Sequence, residues 1–147
     1  MFNFIVRYFG FLKHIPLLPH VFDAMLKIVL VLRHSEIASY LDEIEDEVLS
    51  WNEISLRMHK YGGIQFDINK REIGHIHGNG LLDILFSRED KARFMAYGRV
   101  QEHHVFKNSG WVSLYIQTSE DRDLAIQLLR YSYAKKAEST KGHPAAF

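Results

Sequence analysis

Apolar and polar positions along this chain change period as the sequence proceeds. Residues 21–32 are apolar almost all round, and Ile37, Tyr40, Leu41, Ile44 and Val48 then recur at helical spacing opposite Asp42, Glu43, Glu45, Asp46 and Glu47. Two helices are predicted, the second amphipathic with its acidic side in solvent. Beyond residue 50 the period shortens. Residues 54–60 and 63–68 read as strands broken at Tyr61-Gly62-Gly63, and Asn69-Lys70 suits a two-residue hairpin turn because Asn tolerates positive φ. A strand over 71–77 leads to the turn Gly78-Asn79-Gly80 and a strand over 81–86. Ser87 with Asp90 three residues on is a capping box, opening a helix to about Tyr97 with Gly98 at its C-cap. Strands at 101–106 and 111–117 follow. Thr118 with Asp121 repeats the box before a helix with Leu124, Leu128 and Tyr131 on one face, ending near Lys136.

These elements predict an α+β fold, a mainly antiparallel sheet of about five strands with flanking helices. We place an N-terminal helical segment at 1–50, packed on or capping the α+β domain of 51–137, and a mobile tail at 138–147.

Composition narrows the partners. Lys plus Arg and Asp plus Glu balance at 18 each without a basic block, so the electrostatic footprint of a nucleic-acid binder is missing and a small molecule is the expected partner. Absence of cysteine removes disulfides and thiol catalysis and fits a cytoplasmic protein. Arg7, Lys13, Asp23 and Lys27 break the apolar first 32 residues into runs too short to span a bilayer. Residues 1–12 read as packing, with a lid, a homo-oligomer contact or a peripheral membrane helix as the functional alternatives.

The candidate chemistry is histidine. His75 and His77 lie two apart on one strand and share a face, and His103-His104 lie beside another. If Asn69-Lys70 is a two-residue loop, Ile64 faces His75 and Phe66 faces Ile73, which puts Arg71, His75 and His77 on the apolar side. If residues 78–80 form a three-residue loop, His75 lies opposite Asp83, whose carboxylate would orient the imidazole. A hairpin loop at 107–110 puts His104 opposite Ser113 near Trp111 and Tyr115, with His103 on the other face beside Val105, Val112 and Leu114. For any single histidine a hydrogen-bonded core role is the plainer reading; four near glycine turns bring a pocket level with it.

The run Arg71-Glu72-Ile73-Gly74-His75-Ile76-His77, followed by Gly98, Gln101, His103, then Trp111-Val112-Ser113-Leu114-Tyr115 and the helix Leu128-Leu129-Arg130-Tyr131-Ser132-Tyr133, resembles the luciferase domain of fungal luciferases and their non-luminous bacterial relatives. That resemblance implies an oxygen-dependent oxidation of a hydroxylated pyranone of the hispidin type through a peroxide, with no metal and no flavin. Such a reaction needs a base, a cation or donor beside the developing peroxide, and an aromatic wall that excludes water. His75, His77, His103, Asp83 and Arg71 are the catalytic candidates, and Glu72, His104, Trp111, Ser113 and Tyr115 the substrate-binding ones.

Three functions are expected in this order. The first is a cofactor-independent, oxygen-using enzyme of the luciferase-like family, an oxidoreductase acting on a small aromatic or pyranone-like molecule, luminous or not. The second is a His-rich, metal-binding, oxygenase-like protein, for which His-x-His, a later His and a carboxylate supply ligands, although the Glu and Gly spacing of cupins is missing. The third is a non-catalytic module for small-ligand binding or interaction, in which the histidines only brace the sheet.

Overall fold

Asn69 and Lys70 both sit at positive φ, 51° and 65°, as the two central residues of a type I′ hairpin turn must. Around this turn the computed structural model, which describes residues 18–141, places β1 (Ile54–Met58), β2 (Ile64–Ile68), β3 (Arg71–Ile76), β4 (Leu81–Leu85), β5 (Gln101–Glu102) and β6 (Trp111–Tyr115) in one sheet. The strands run in the order β1-β2-β3-β4-β6-β5, every neighbour antiparallel. The α+β class stands, with six strands in place of about five. Helices α1 (Leu18–Arg33) and α2 (Ser35–Leu49) precede the sheet, α3 (Arg88–Met95) connects β4 to β5, and α4 (Ser119–Lys141) follows β6.

Both N-caps form, and the one at Thr118 closes as a full reciprocal box. Ser87 Oγ accepts the Asp90 N–H at 3.0 Å, and Thr118 Oγ1 accepts that of Asp121 at 3.3 Å while Asp121 Oδ2 accepts the Thr118 N–H at 3.1 Å. Helix α3 stops at Met95, short of Tyr97, and α4 runs through Lys141, four residues into the stretch assigned to the tail. The reading of residues 1–12 lies outside the described residues. Among those described, no helix is long and apolar enough to cross a membrane.

One face of the sheet carries the core. Phe66, Ile84, Val112 and Leu114 cluster with Ile44 and Val48 of α2 and Ala125, Leu128 and Leu129 of α4, nearly all below 3% exposure. Burying each of the larger side chains stabilises the fold by about 1.5–3 kcal/mol. Helix α1 is attached differently: of its residues only Leu30 is buried, while Val21, Met25, Ile28 and Leu32 are exposed.

A bulge decides what the other face carries. Phe66 pairs with Gly74 and Asp67 with Glu72, so Ile73 is the extra residue on β3. One inserted residue reverses the alternation. The register with Ile64 opposite His75 and Phe66 opposite Ile73 is therefore overturned: Ile64 pairs with Ile76 and Gln65 with His75. Phe66 and Ile73 are buried and Ile64 half-buried, as expected, but His75 points to the face away from Phe66. Glu72 is turned onto that same face, and Arg71, opposite Ile68, leaves it for α4, where its guanidinium donates to the Lys136 carbonyl and the Ser139 hydroxyl. Two contacts hold the bulge. Ser132 Oγ of α4 donates to the Ile73 carbonyl at 2.8 Å, and Gly74 lets Leu129 and Ile84 approach to where a Cβ would sit at 2.8 and 3.0 Å from them.

A candidate functional site around Asp83

Three-residue turn geometry brings His75 and Asp83 together. The His77 N–H donates to the Leu81 carbonyl and the Gly80 N–H to that of His77, so residues 78–80 form the loop and His75 pairs with Asp83, as the sequence predicts. Asp83 in turn pairs with Ser113 on β6, and Ser113 with Gln101 on β5. This row crosses the middle of the sheet on the face away from α2 and α4.

Strand β5 ends after two residues, well short of the predicted 101–106. Gln101, not His104, lies opposite Ser113, and His103 turns onto the Asp83 face instead of joining Val112 and Leu114. Its Nδ1 accepts the N–H groups of Val105 and Phe106, both at 3.1 Å, which stops the strand. His104 stacks on it, centroids 4.6 Å apart, so the two rings do not divide between the faces. Lys91 of α3, a buried lysine, ties down the loop that carries them, donating to the carbonyls of Lys107 at 2.7 Å and Ser109 at 3.1 Å.

At the centre Asp83 is completely buried. Ser113 Oγ donates to its Oδ1. Its Oδ2 faces three imidazoles, His77 Nε2 at 3.4 Å, His75 Nε2 at 3.6 Å and His103 Nε2 at 3.7 Å. These separations exceed the 2.7–3.2 Å range of an N–H···O bond, and Oδ2 has no hydrogen-bond partner. On the far side of each ring stands another group. His75 Nδ1 meets Glu72 Oε1 at 2.5 Å, and His77 Nδ1 lies 3.7 Å from Asp23 Oδ1. Trp111 lies edge-on to His75, centroids 5.6 Å apart, and 5.8 Å from His103. The structure thus joins His75, His77, His103, Asp83, Glu72, His104, Trp111 and Ser113 in one cluster. Tyr115, paired with Leu81, sits at its exposed margin, and Arg71 is not part of it.

Two members were missing from the sequence-based set. His59 stacks on His75 at 3.7 Å and 12°; it was hidden because the bulge sets which face of β3 meets β1 and β2. Asp23 comes from α1 and accepts the Gly78 N–H at 2.8 Å. A lone acid in an almost uniformly apolar helix was its only signal.

Burial works against charge throughout the cluster. It pushes His59 down to about 4, helped by the adjacent His75 ring, and lowers His103 and His104. For His75 and His77 burial is outweighed by carboxylates: Asp83 and Glu72 raise the first, and Asp23 and Asp83 raise the second to about 9. Burial likewise opposes ionisation of Asp83, yet the facing imidazoles and Ser113 hold it well below the usual carboxylate range.

Beside the cluster, beneath α1, lies a cavity of about 230 Å³. Leu41, Ile64, Phe66 and Ile76 supply apolar wall, and Asp23, Lys27 and His77 supply polar groups. Of the predicted site residues only His77 lines it; His75, His103, Arg71 and Trp111 do not.

Residues 70–132 match the model of the family described as Luciferase domain. No curated protein and no solved structure matches the chain significantly. The matched segment carries β3 to β6 and α3, and with them every member of the cluster except His59 and Asp23. Over residues 70–132 the chain is therefore similar to the Luciferase domain family.

Proposed function

We propose that this luciferase-like protein is an oxygen-using oxidoreductase that takes a small hydroxylated aromatic or pyranone-like ring into the cavity beneath α1 and oxidises it beside His77. The observation that carries this reading is the position of His77, which is at once part of the cavity wall and of the buried Asp83 cluster. An apolar chamber with a few polar groups at one end suits a ring with an ionisable hydroxyl. Its volume lies below the roughly 300–1,000 Å³ of pockets for drug-sized ligands, so a single ring fits better than a two-ring, hispidin-sized molecule.

Loss of the hydroxyl proton to solvent water, which returns one when the hydroperoxide forms, makes such a ring an electron-rich enolate. Lys27 at the cavity wall, and the positive charge that the carboxylates of the adjacent cluster attract, stabilise that anion. The enolate passes two electrons to molecular oxygen, a carbon–oxygen bond forms, and a proton completes a hydroperoxide, so that R–H plus O₂ becomes R–OOH. The substrate supplies the electrons, and no flavin or other organic cofactor takes part. Loss of carbon dioxide from the hydroperoxide, with or without light, is a later step that luciferase-domain chemistry suggests.

An oxygen electrode tests the reading with a panel of monocyclic hydroxypyranones and catechols. Substrate-dependent oxygen uptake, lost in a folded His77→Ala variant, is the expected result. Tight binding of these rings without oxygen uptake would make the chain a ligand-binding module and overturn the enzymatic reading.

A further inference from the structure

We propose that His75 Nε2, His77 Nε2 and Asp83 Oδ2 bind one divalent transition-metal ion of the iron-to-zinc series, leaving at least one coordination position open. Spacing is the first reason. Ligand atoms held at about 2.0–2.2 Å from one ion in tetrahedral positions lie about 3.3–3.6 Å from one another, and Asp83 Oδ2 is 3.4 and 3.6 Å from the two nitrogens. All three donor atoms lie within 4.8 Å of one another. Contacts of this length are too long for hydrogen bonds and short enough to be bridged by a cation.

Buried polarity is the second. Asp83 is fully buried and its Oδ2 has no hydrogen-bond partner. An orphaned carboxylate oxygen in the interior costs several kcal/mol, and a bond to a cation removes that cost.

Tautomers supply the third reason and separate the ligands from their neighbours. A carboxylate only accepts, so the 2.5 Å contact with Glu72 puts the proton of His75 on Nδ1 and frees the Nε2 lone pair. Asp23 faces His77 Nδ1 in the same sense. Metal-bound histidines commonly show this arrangement, the far nitrogen donating to a carboxylate that fixes the ring and raises its basicity. His103 is the reverse case. Its Nδ1 accepts two backbone N–H groups, so its proton is on Nε2 and points at Asp83, which makes it a donor to the ligand and not a ligand.

Charge is consistent with this. Three carboxylates, Asp23, Glu72 and Asp83, surround two imidazoles, and one dication supplies the positive charge that two extra protons would otherwise supply. A rival triad, His59 with Glu72 and His75, would have to break the Glu72–His75 contact. Two histidines and one carboxylate with open positions form the donor set of non-haem iron oxygenases, and the ion would then sit next to the cavity that His77 lines.

Titration of the chelator-stripped full chain with Co²⁺, read by its visible d–d absorption and by competition with Zn²⁺, tests the site without any substrate. One ion per chain is expected. His77→Asn and Asp83→Asn, checked for folding by circular dichroism, should lose the Co²⁺ spectrum and more than about 100-fold in affinity, whereas Glu72→Gln and Asp23→Asn lose about 10–100-fold. His103→Ala should keep the spectrum. Absence of stoichiometric binding, or a folded His77→Asn that binds Co²⁺ as tightly as the parent chain, would overturn the proposal. Oxygen uptake is not measured here, so this result and that of the proposed oxidation fail or stand separately.

Discussion

Replacing Gly78 by Ala tests how α1 delivers Asp23 to the site. A Cβ at Gly78 would lie 2.5 Å from the Asp23 carbonyl oxygen and 3.0 Å from both the backbone nitrogen and the Cβ of Lys27. Ordinary contact begins near 3.4 Å, so helix and turn must separate by roughly 1 Å, an amount that typically costs about 1–3 kcal/mol when a packed region is overfilled. Helix α1 yields before the sheet does, since Leu30 is its only buried residue. The same movement stretches the Gly78 N–H bond to Asp23 from 2.8 Å to about 3.7 Å, outside hydrogen-bond range. Loss of a bond to a charged group contributes about 1.5–3 kcal/mol on its own where no water replaces it. Both costs arise from one displacement and are not additive, so we expect about 2–3 kcal/mol, which for a domain of this size lowers Tm by roughly 4–12 °C. The site should suffer more than the fold, because Asp23 is the group facing His77 Nδ1. Thermal melts by circular dichroism and oxygen uptake, measured on one preparation, read both effects. A variant that melts with the parent chain and keeps its full activity would refute the close seating of α1 on the 78–80 turn.

Two further predictions concern the elements that support the cluster. Ser132→Ala leaves the buried Ile73 carbonyl without its 2.8 Å donor and should destabilise by about 1–3 kcal/mol in urea unfolding; a change below about 0.5 kcal/mol would mean that α4 does not hold the bulge. Lys136 has its pKa lowered from 10.5 to about 8, by burial and then by Arg71, so between pH 8 and 10.5 the unfolded chain binds more protons than the folded one and stability rises with pH. Lys136→Met removes a charge cost that is complete below pH 8, so its stability relative to the parent chain should be highest at pH 7 and decline towards pH 10; a difference independent of pH would contradict this.

How much of this was legible in the sequence depended on where the determining signal lies. The Asn69-Lys70 hairpin, both helix N-caps and the His75–Asp83 pairing were readable because each is fixed by residues a few positions apart. A three-residue loop at 78–80 is enough to set the parity of β3 against β4. The bulge at Ile73 was not readable. Its determinants, Leu129 and Ser132, are brought from α4 by tertiary packing, and missing it put His75 on the wrong face and kept Arg71 beside it. His103 was misplaced for a related reason: its side chain competes with the backbone ladder by accepting two N–H groups, which β-propensity does not register. Asp23 enters from α1 across 54 residues of chain, and nothing local to His77 announces it.

A crystal structure of the full chain soaked with a monocyclic hydroxypyranone tests the central claim most directly. The account predicts one ring beneath α1 against Phe66 and Ile76, in contact with the His77 ring and with its hydroxyl oxygen about 2.6–3.2 Å from Lys27 Nζ. A ring bound instead at the exposed margin near Tyr115, or anywhere else away from His77, would contradict it.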